Sequence, residues 1–175
     1  MALKATIFKA ELQIADMDRH YYETHMLTIA QHPSETDERM MVRLLAFAVY
    51  AHERLAFTKG ISTEDEPDLW QKSLSDEIEL WIELGQPDEK RLRKAAGRAQ
   101  QVVIITYNSR SAAVWRSQMQ DALSKLDNVT VRALNNETVE ALGKLAQRNM
   151  SLQCTIQDGE IGIGDDSQHL TVRFE

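Results

Sequence analysis

The sequence predicts a mixed α/β fold: a sheet of parallel and antiparallel strands flanked by helices. Three observations predict it. Two-residue alternation marks strands near the start and again before residue 85. A continuous β-branched run, Val102 to Thr106, has the character of a strand covered on both faces. Helical periodicities lie between these strands, and alternation of the two kinds of element favours helices packed on a sheet.

In order along the chain, Phe8, Ala10, Leu12 and Ile14 fall on one side of a two-residue period, with Lys9, Glu11 and Gln13 on the other. That is a half-buried strand. The polar turn Asp16-Met17-Asp18-Arg19 leads to a second strand from Tyr21 to Ala30, forming a hairpin. Pro33 then precedes Ser34-Glu35-Thr36-Asp37, where Ser34 is the expected cap. Met41, Leu44, Leu45, Ala48 and Val49 recur at helical steps, and the helix is expected to run to about Phe57, stopped by Lys59-Gly60.

An acidic loop, Ser62 to Glu66, precedes a short strand around Leu69 and Trp70. From Asp76 to Leu84, Ile78, Leu80, Ile82 and Leu84 alternate with Glu77, Glu79, Trp81 and Glu83. Gly85-Gln86-Pro87 ends this strand and opens a helix, with Asp88 and Glu89 at the favourable end of its dipole. A helix from about Arg110 to Leu126, a strand Val129 to Ala133 and a helix from about Asn136 to Arg148 follow. The chain closes on antiparallel strands, Leu152 to Ile156 and Ile161 to Phe174, about the turn Gln157-Asp158-Gly159.

Composition limits the function classes. With 175 residues the chain suits one domain, residues 1–175, with a real core. A net charge of -7 argues against a broad basic coat for nucleic acid. No run approaches the roughly 18 apolar residues of a membrane span. The alternating start is unlike a secretory leader, so a soluble, cytoplasmic protein with no membrane partner is expected. The single cysteine, Cys154, excludes an intrachain disulfide and reads as a buried structural thiol. His20, His25, His32, His52 and His169 show no metal-ligand spacing, and Gly162-Ile163-Gly164 is too isolated for a phosphate loop.

The charge is sorted along the chain. Between Glu64 and Glu83 stand eight acids and one base, Lys72; between Lys90 and Arg116 stand seven bases and no acid. The plain explanation is a solvated acidic segment beside a basic helix, with ion pairs between them. The sharper one is a site where carboxylates hold Mg²⁺ or Mn²⁺ and the bases meet a phosphate. Asp68 and Glu83 converge if their two strands pair, and Glu38 shares a helix face with Val42, Leu45 and Val49. Lys90 and Lys94 occupy one face of the following helix. Tyr107-Asn108-Ser109-Arg110 leaves a buried strand and enters a helix; Asn108 or Ser109 suits a cap, and Arg110 suits a phosphate or an acid.

His32-Pro33-Ser34-Glu35-Thr36, Glu38-Arg39-Met40-Met41, Asp65-Glu66-Pro67, Leu80-Trp81-Ile82-Glu83-Leu84-Gly85, Pro87-Asp88-Glu89, Tyr107-Asn108-Ser109-Arg110 and Thr155-Ile156-Gln157-Asp158-Gly159 together resemble the YaeQ family across essentially the whole chain. The resemblance implies a variant of the PD-(D/E)XK nuclease fold. In that superfamily a helix acid and two strand acids bind a divalent metal, and a lysine assists attack by water. It maps Asp68 and Glu83 onto the metal ligands and Glu38 onto the helix acid. Gly85 stands where the motif has lysine, which leaves Lys90 or Lys94 as candidates to reach back from the helix. Two functions stay open: a metal-dependent nuclease or phosphodiesterase acting on nucleic acid or a nucleotide, and a non-catalytic protein that binds a phosphorylated ligand or a protein partner.

Overall fold

The computed structural model describes residues 4–59 and 65–175. Two five-stranded mixed sheets stand where the sequence suggested one. Contacts divide the chain into two compact units, residues 1–50 with 137–173, and residues 51–136 with 174–175.

The first unit is built on β1 (Thr6–Asp16), β2 (Tyr21–Gln31), α1 (Asp37–Val49), α5 (Asn136–Gly143, its first residue assigned to the second unit), β8 (Asn149–Gln157), β9 (Glu160–Gly164) and β10 (His169–Val172). Its strand order is β10-β9-β8-β1-β2. Only β1 and β8 run parallel; the other neighbours are antiparallel. The final strands therefore join the N-terminal hairpin, a pairing that local pattern cannot reveal. Alternation in β1 and β8 is strict, with Leu12, Ile14, Leu152, Cys154 and Ile156 buried. Asp158 and Gly159 both take positive φ in the β8–β9 turn, as a two-residue hairpin with right-handed twist demands. Asp18 accepts both of their amides, at 2.7 and 2.9 Å, which ties the β1–β2 turn to it.

Helix α1 is capped by Thr36, whose hydroxyl accepts from the Arg39 amide at 3.1 Å, and not by Ser34, which bonds His32 instead. The helix also ends at Val49, short of Phe57. Residues Leu55–Phe57 form β3, paired antiparallel with β4 (Leu69–Lys72). His52 accepts the Arg54 amide, and Arg54 is anchored on the Lys72 carbonyl and Glu79. An available sheet edge thus overrides helical periodicity. The expected stop at Gly60, and residues 62–64 of the acidic loop, lie outside the described residues.

The second unit carries β3, β4 (Leu69–Lys72), β5 (Ile78–Leu84), α2 (Glu89–Arg98), β6 (Ala99–Thr106), α3 (Ser109–Gln118), α4 (Gln120–Ser124) and β7 (Val129–Ala133). The sheet order is β3-β4-β5-β6-β7, antiparallel up to β5 and parallel beyond it. Helices supply the crossovers that parallel neighbours require. The core beneath α2 and α3 gathers Ile78, Trp81, Leu92, Ala95, Val102, Ile104 and Trp115. Trp81 was expected on a polar face but is buried, so both faces of β5 are covered. The helix expected over 110–126 is broken at Met119, which ends α3 and begins α4.

Candidate functional site

The antiparallel register pairs Leu69 with Ile82, so Asp68, one residue before β4, falls opposite Glu83. Its amide donates to the Ile82 carbonyl at 3.0 Å and its Oδ2 accepts from the Leu84 amide at 2.8 Å. Both acids are buried, Asp68 at 3% exposure and Glu83 at 6%. Desolvation by burial pushes the Glu83 carboxyl above the usual carboxylate range. Arg91 and the Trp81 indole oppose that rise, and the Asp68 charge adds to it.

The cation on Glu83 is neither lysine that the sequence singled out. Arg91 Nε donates to Glu83 Oε2 at 2.6 Å, and the Trp81 indole donates to Oε1 at 3.1 Å. A second Arg91 nitrogen reaches the Glu66 carbonyl at 2.9 Å. Asp88 caps α2 by accepting the Arg91 amide at 2.8 Å. Lys94 pairs with Asp65 at 2.7 Å, and Arg98 donates to the Asp65 carbonyl at 2.6 Å while lying over the Trp81 ring. Lys90 is exposed and makes no ion pair with any described residue. Arg91, Lys94 and Arg98, spaced three and four apart, thus form one helix face turned to the acidic segment. That spacing was the available signal for Arg91; it was missed because the motif asks for lysine.

Glu38 belongs to the first unit, half-buried on α1 beside Gly143 of α5. A Cβ at Gly143 would stand 2.7 Å from Glu38 Cγ, so glycine there permits the close approach. The buried acid of the neighbouring motif is Glu35. It accepts from Arg43 Nη2 at 2.6 Å and Nε at 3.0 Å, and from Arg39 at 2.7 Å. Arg43 also donates to the Ala30 carbonyl at 3.0 Å.

At the far end of β6, Asn108 precedes α3 with φ of 64° and makes no side-chain cap bond. Asn136 supplies the acceptor instead, taking the Ser109 amide at 2.9 Å and its hydroxyl at 3.3 Å. Arg110 is exposed, with no ion pair to a described residue. Among the described residues no group of three or more His, Cys, Asp or Glu is placed to hold a metal ion. Asp68 Oδ2 and both Glu83 oxygens already accept hydrogen bonds from Leu84, Trp81 and Arg91, so a divalent cation bridging the two acids would have to displace at least one of these donors.

The sequence pattern of the family described as YaeQ protein matches residues 1–174. The chain belongs to the YaeQ family. The YaeQ protein of Escherichia coli K12 is 49% identical over 174 residues, covering 99% of this chain and 96% of the relative. That of Salmonella typhi is 48% identical over the same coverage. The crystal structure of YaeQ from Xanthomonas axonopodis pv. citri superposes with a TM-score of 0.94 at 49% identity, covering 97% and 96% of the two chains. YaeQ from Pseudomonas syringae gives 0.93 at 40% identity, covering 98% and 94%. The two-sheet α/β architecture is therefore that of solved YaeQ structures. Among the described residues, no helix is long and apolar enough to cross a membrane.

Proposed function

We propose that this chain is a non-catalytic binding protein of nuclease-like fold, whose acid pair has become an internal ion-pair lock. One observation carries the reading: both Glu83 oxygens are engaged within the chain, one by Arg91 and one by Trp81. A guanidinium stays protonated at any working pH, so Arg91 neutralises charge but cannot accept a proton from water. Arg91, Arg93, Lys94 and Arg98 find partners inside the same unit. That leaves Lys90, Arg110 and Arg116 of the basic segment for a phosphate, which favours a protein partner over a polyanion.

A second reading, an Mg²⁺- or Mn²⁺-dependent nuclease, draws on the order of elements. Asp68 immediately precedes the middle strand of an antiparallel meander, Glu83 is the penultimate residue of the next, and a helix then leads to a parallel strand. This is the arrangement that the resemblance to PD-(D/E)XK nucleases implies. In it Arg91 would stand in for the lysine missing at Gly85.

Mn²⁺ titration of the protein followed by electron paramagnetic resonance, with cleavage assays on DNA and RNA, separates the two. The binding reading expects no stoichiometric Mn²⁺ site and no cleavage. Metal-dependent cleavage lost in Asp68→Asn would overturn it.

A further inference from the structure

Strand β2 forms an outer edge of the first unit's sheet, and its 11 residues pair with β1 without a bulge. The direction of its backbone groups follows from the ladder. The Lys9 amide donates to the Arg148 carbonyl at the entry to β8, so odd-numbered residues of β1 turn toward β8 and even-numbered ones toward β2. The register matches Phe8, Ala10, Leu12 and Ile14 with Ile29, Leu27, His25 and Glu23. Tyr22, Thr24, Met26, Thr28 and Ala30 therefore point their N–H and C=O groups away from the sheet. Arg43 takes the Ala30 carbonyl from that side. The outward groups of the other four meet no hydrogen-bond partner among the described residues.

Natural edges are protected by charge, proline, bulges or shortness. This one has a single charge, Glu23, no proline and no bulge. It also exposes Tyr22 at 57% and Met26 at 77%, both on its outer face.

We propose that β2 pairs antiparallel with β2 of a second copy of this chain, about a two-fold axis at His25, joining two sheets edge to edge. In that register Tyr22 faces Thr28 and Thr24 faces Met26, reciprocally, and the outward N–H and C=O groups of these four residues each find a partner. Tyr22 lies diagonal to Met26 of the other copy, within reach of an aromatic side chain, so the two exposed side chains cover each other. Glu23 faces Leu27, and no like charges are opposed. Self-complementarity of this kind is what a two-fold interface requires, and it favours a second copy over an unrelated peptide. Burial holds the His25 imidazole below its ordinary range, so the rings nearest the axis are uncharged at neutral pH.

Sedimentation of the full chain tests this. Wild type is expected at twice the chain mass. Thr24→Pro, which removes an outward amide that the chain's own ladder does not use, and Met26→Lys, which adds an edge charge, are each expected at the monomer mass with unchanged circular dichroism. In a non-hydrogen-bonded pair the two Cα atoms lie about 4.5 Å apart, so His25→Cys is expected to form an interchain disulfide and Thr28→Cys not to. A wild type that remains monomeric to high micromolar concentration overturns the inference, as does a dimer unaffected by Met26→Lys. Cross-linking through Thr28→Cys in place of His25→Cys would overturn the register.

Discussion

Each unit buries a glutamate against arginine, and the two sites are built differently. In the first, Glu35 is gripped by Arg43 through two nitrogens and by Arg39 through a third, and Arg43 also ties down a strand carbonyl. In the second, Glu83 has one arginine and one indole, with a second carboxylate opposite and a pKa raised by burial. Glu35 is thus held by surplus positive charge, whereas Glu83 sits in an acid-rich place with a single cation. Surplus of this kind makes a scaffold; the bare balance at Glu83 is the arrangement on which the proposed lock rests.

The largest expected effect is on the scaffold. Glu35→Ala leaves the Arg43 guanidinium, whose side chain is only 5% exposed, without its carboxylate. A loss of about 4 kcal/mol is expected, because breaking a buried pair strands the remaining charge. Urea denaturation measures it, and a loss below that of an ordinary surface pair would erase the contrast between the units.

Arg91→Ala should cost less, about 2 kcal/mol, since that side chain is partly exposed and the Trp81 bond to Glu83 survives. Its pH dependence sharpens the comparison. With a folded pKa above the unfolded one, Glu83 holds its proton longer in the folded state. Stability is then highest below the ordinary carboxylate range and falls as pH rises through it toward the folded value. Removing Arg91 deepens that fall, and adding Glu83→Gln abolishes it. Thermal melts from pH 4 upward follow both variants.

Smaller again is Asn136→Ala, which removes the side chain that caps α3 from the first residue of α5, at about 1 kcal/mol. Denaturant midpoints would register it, while Asn108→Ala should lose no cap bond, because Asn108 makes none. Smallest is Cys154. Burial pushes its thiol up to about 12, so alkylation at pH 8 should be negligible in the folded protein and rapid in urea. Mass spectrometry distinguishes the two states.

Much of this was legible in the sequence. Alternation gave β1 and β5 because period two survives whatever packs above it, and the turn Gln157-Asp158-Gly159 placed β8 and β9. The Asp68–Glu83 convergence followed once two short strands were paired. The strand order of the first sheet was not legible, since joining β1 to β8 is a long-range choice that no local pattern encodes. Nor was Thr36 as the cap of α1: Ser34 and Thr36 have the same chemistry, and only backbone geometry decides between them. Arg91 escaped because a motif search for lysine passes over arginine, although its position on α2 fits the acidic segment as well as that of Lys94.

The most direct test of the lock is the titration of the Glu83 carboxyl, followed by carbon-13 NMR with and without millimolar Mg²⁺. A buried carboxyl that keeps Arg91 predicts a titration raised by burial above the ordinary carboxylate range, which Mg²⁺ leaves in place. A titration that moves sharply downward when Mg²⁺ is added, together with a shifted Asp68 resonance, would mean that the metal displaces Arg91, and would contradict the account.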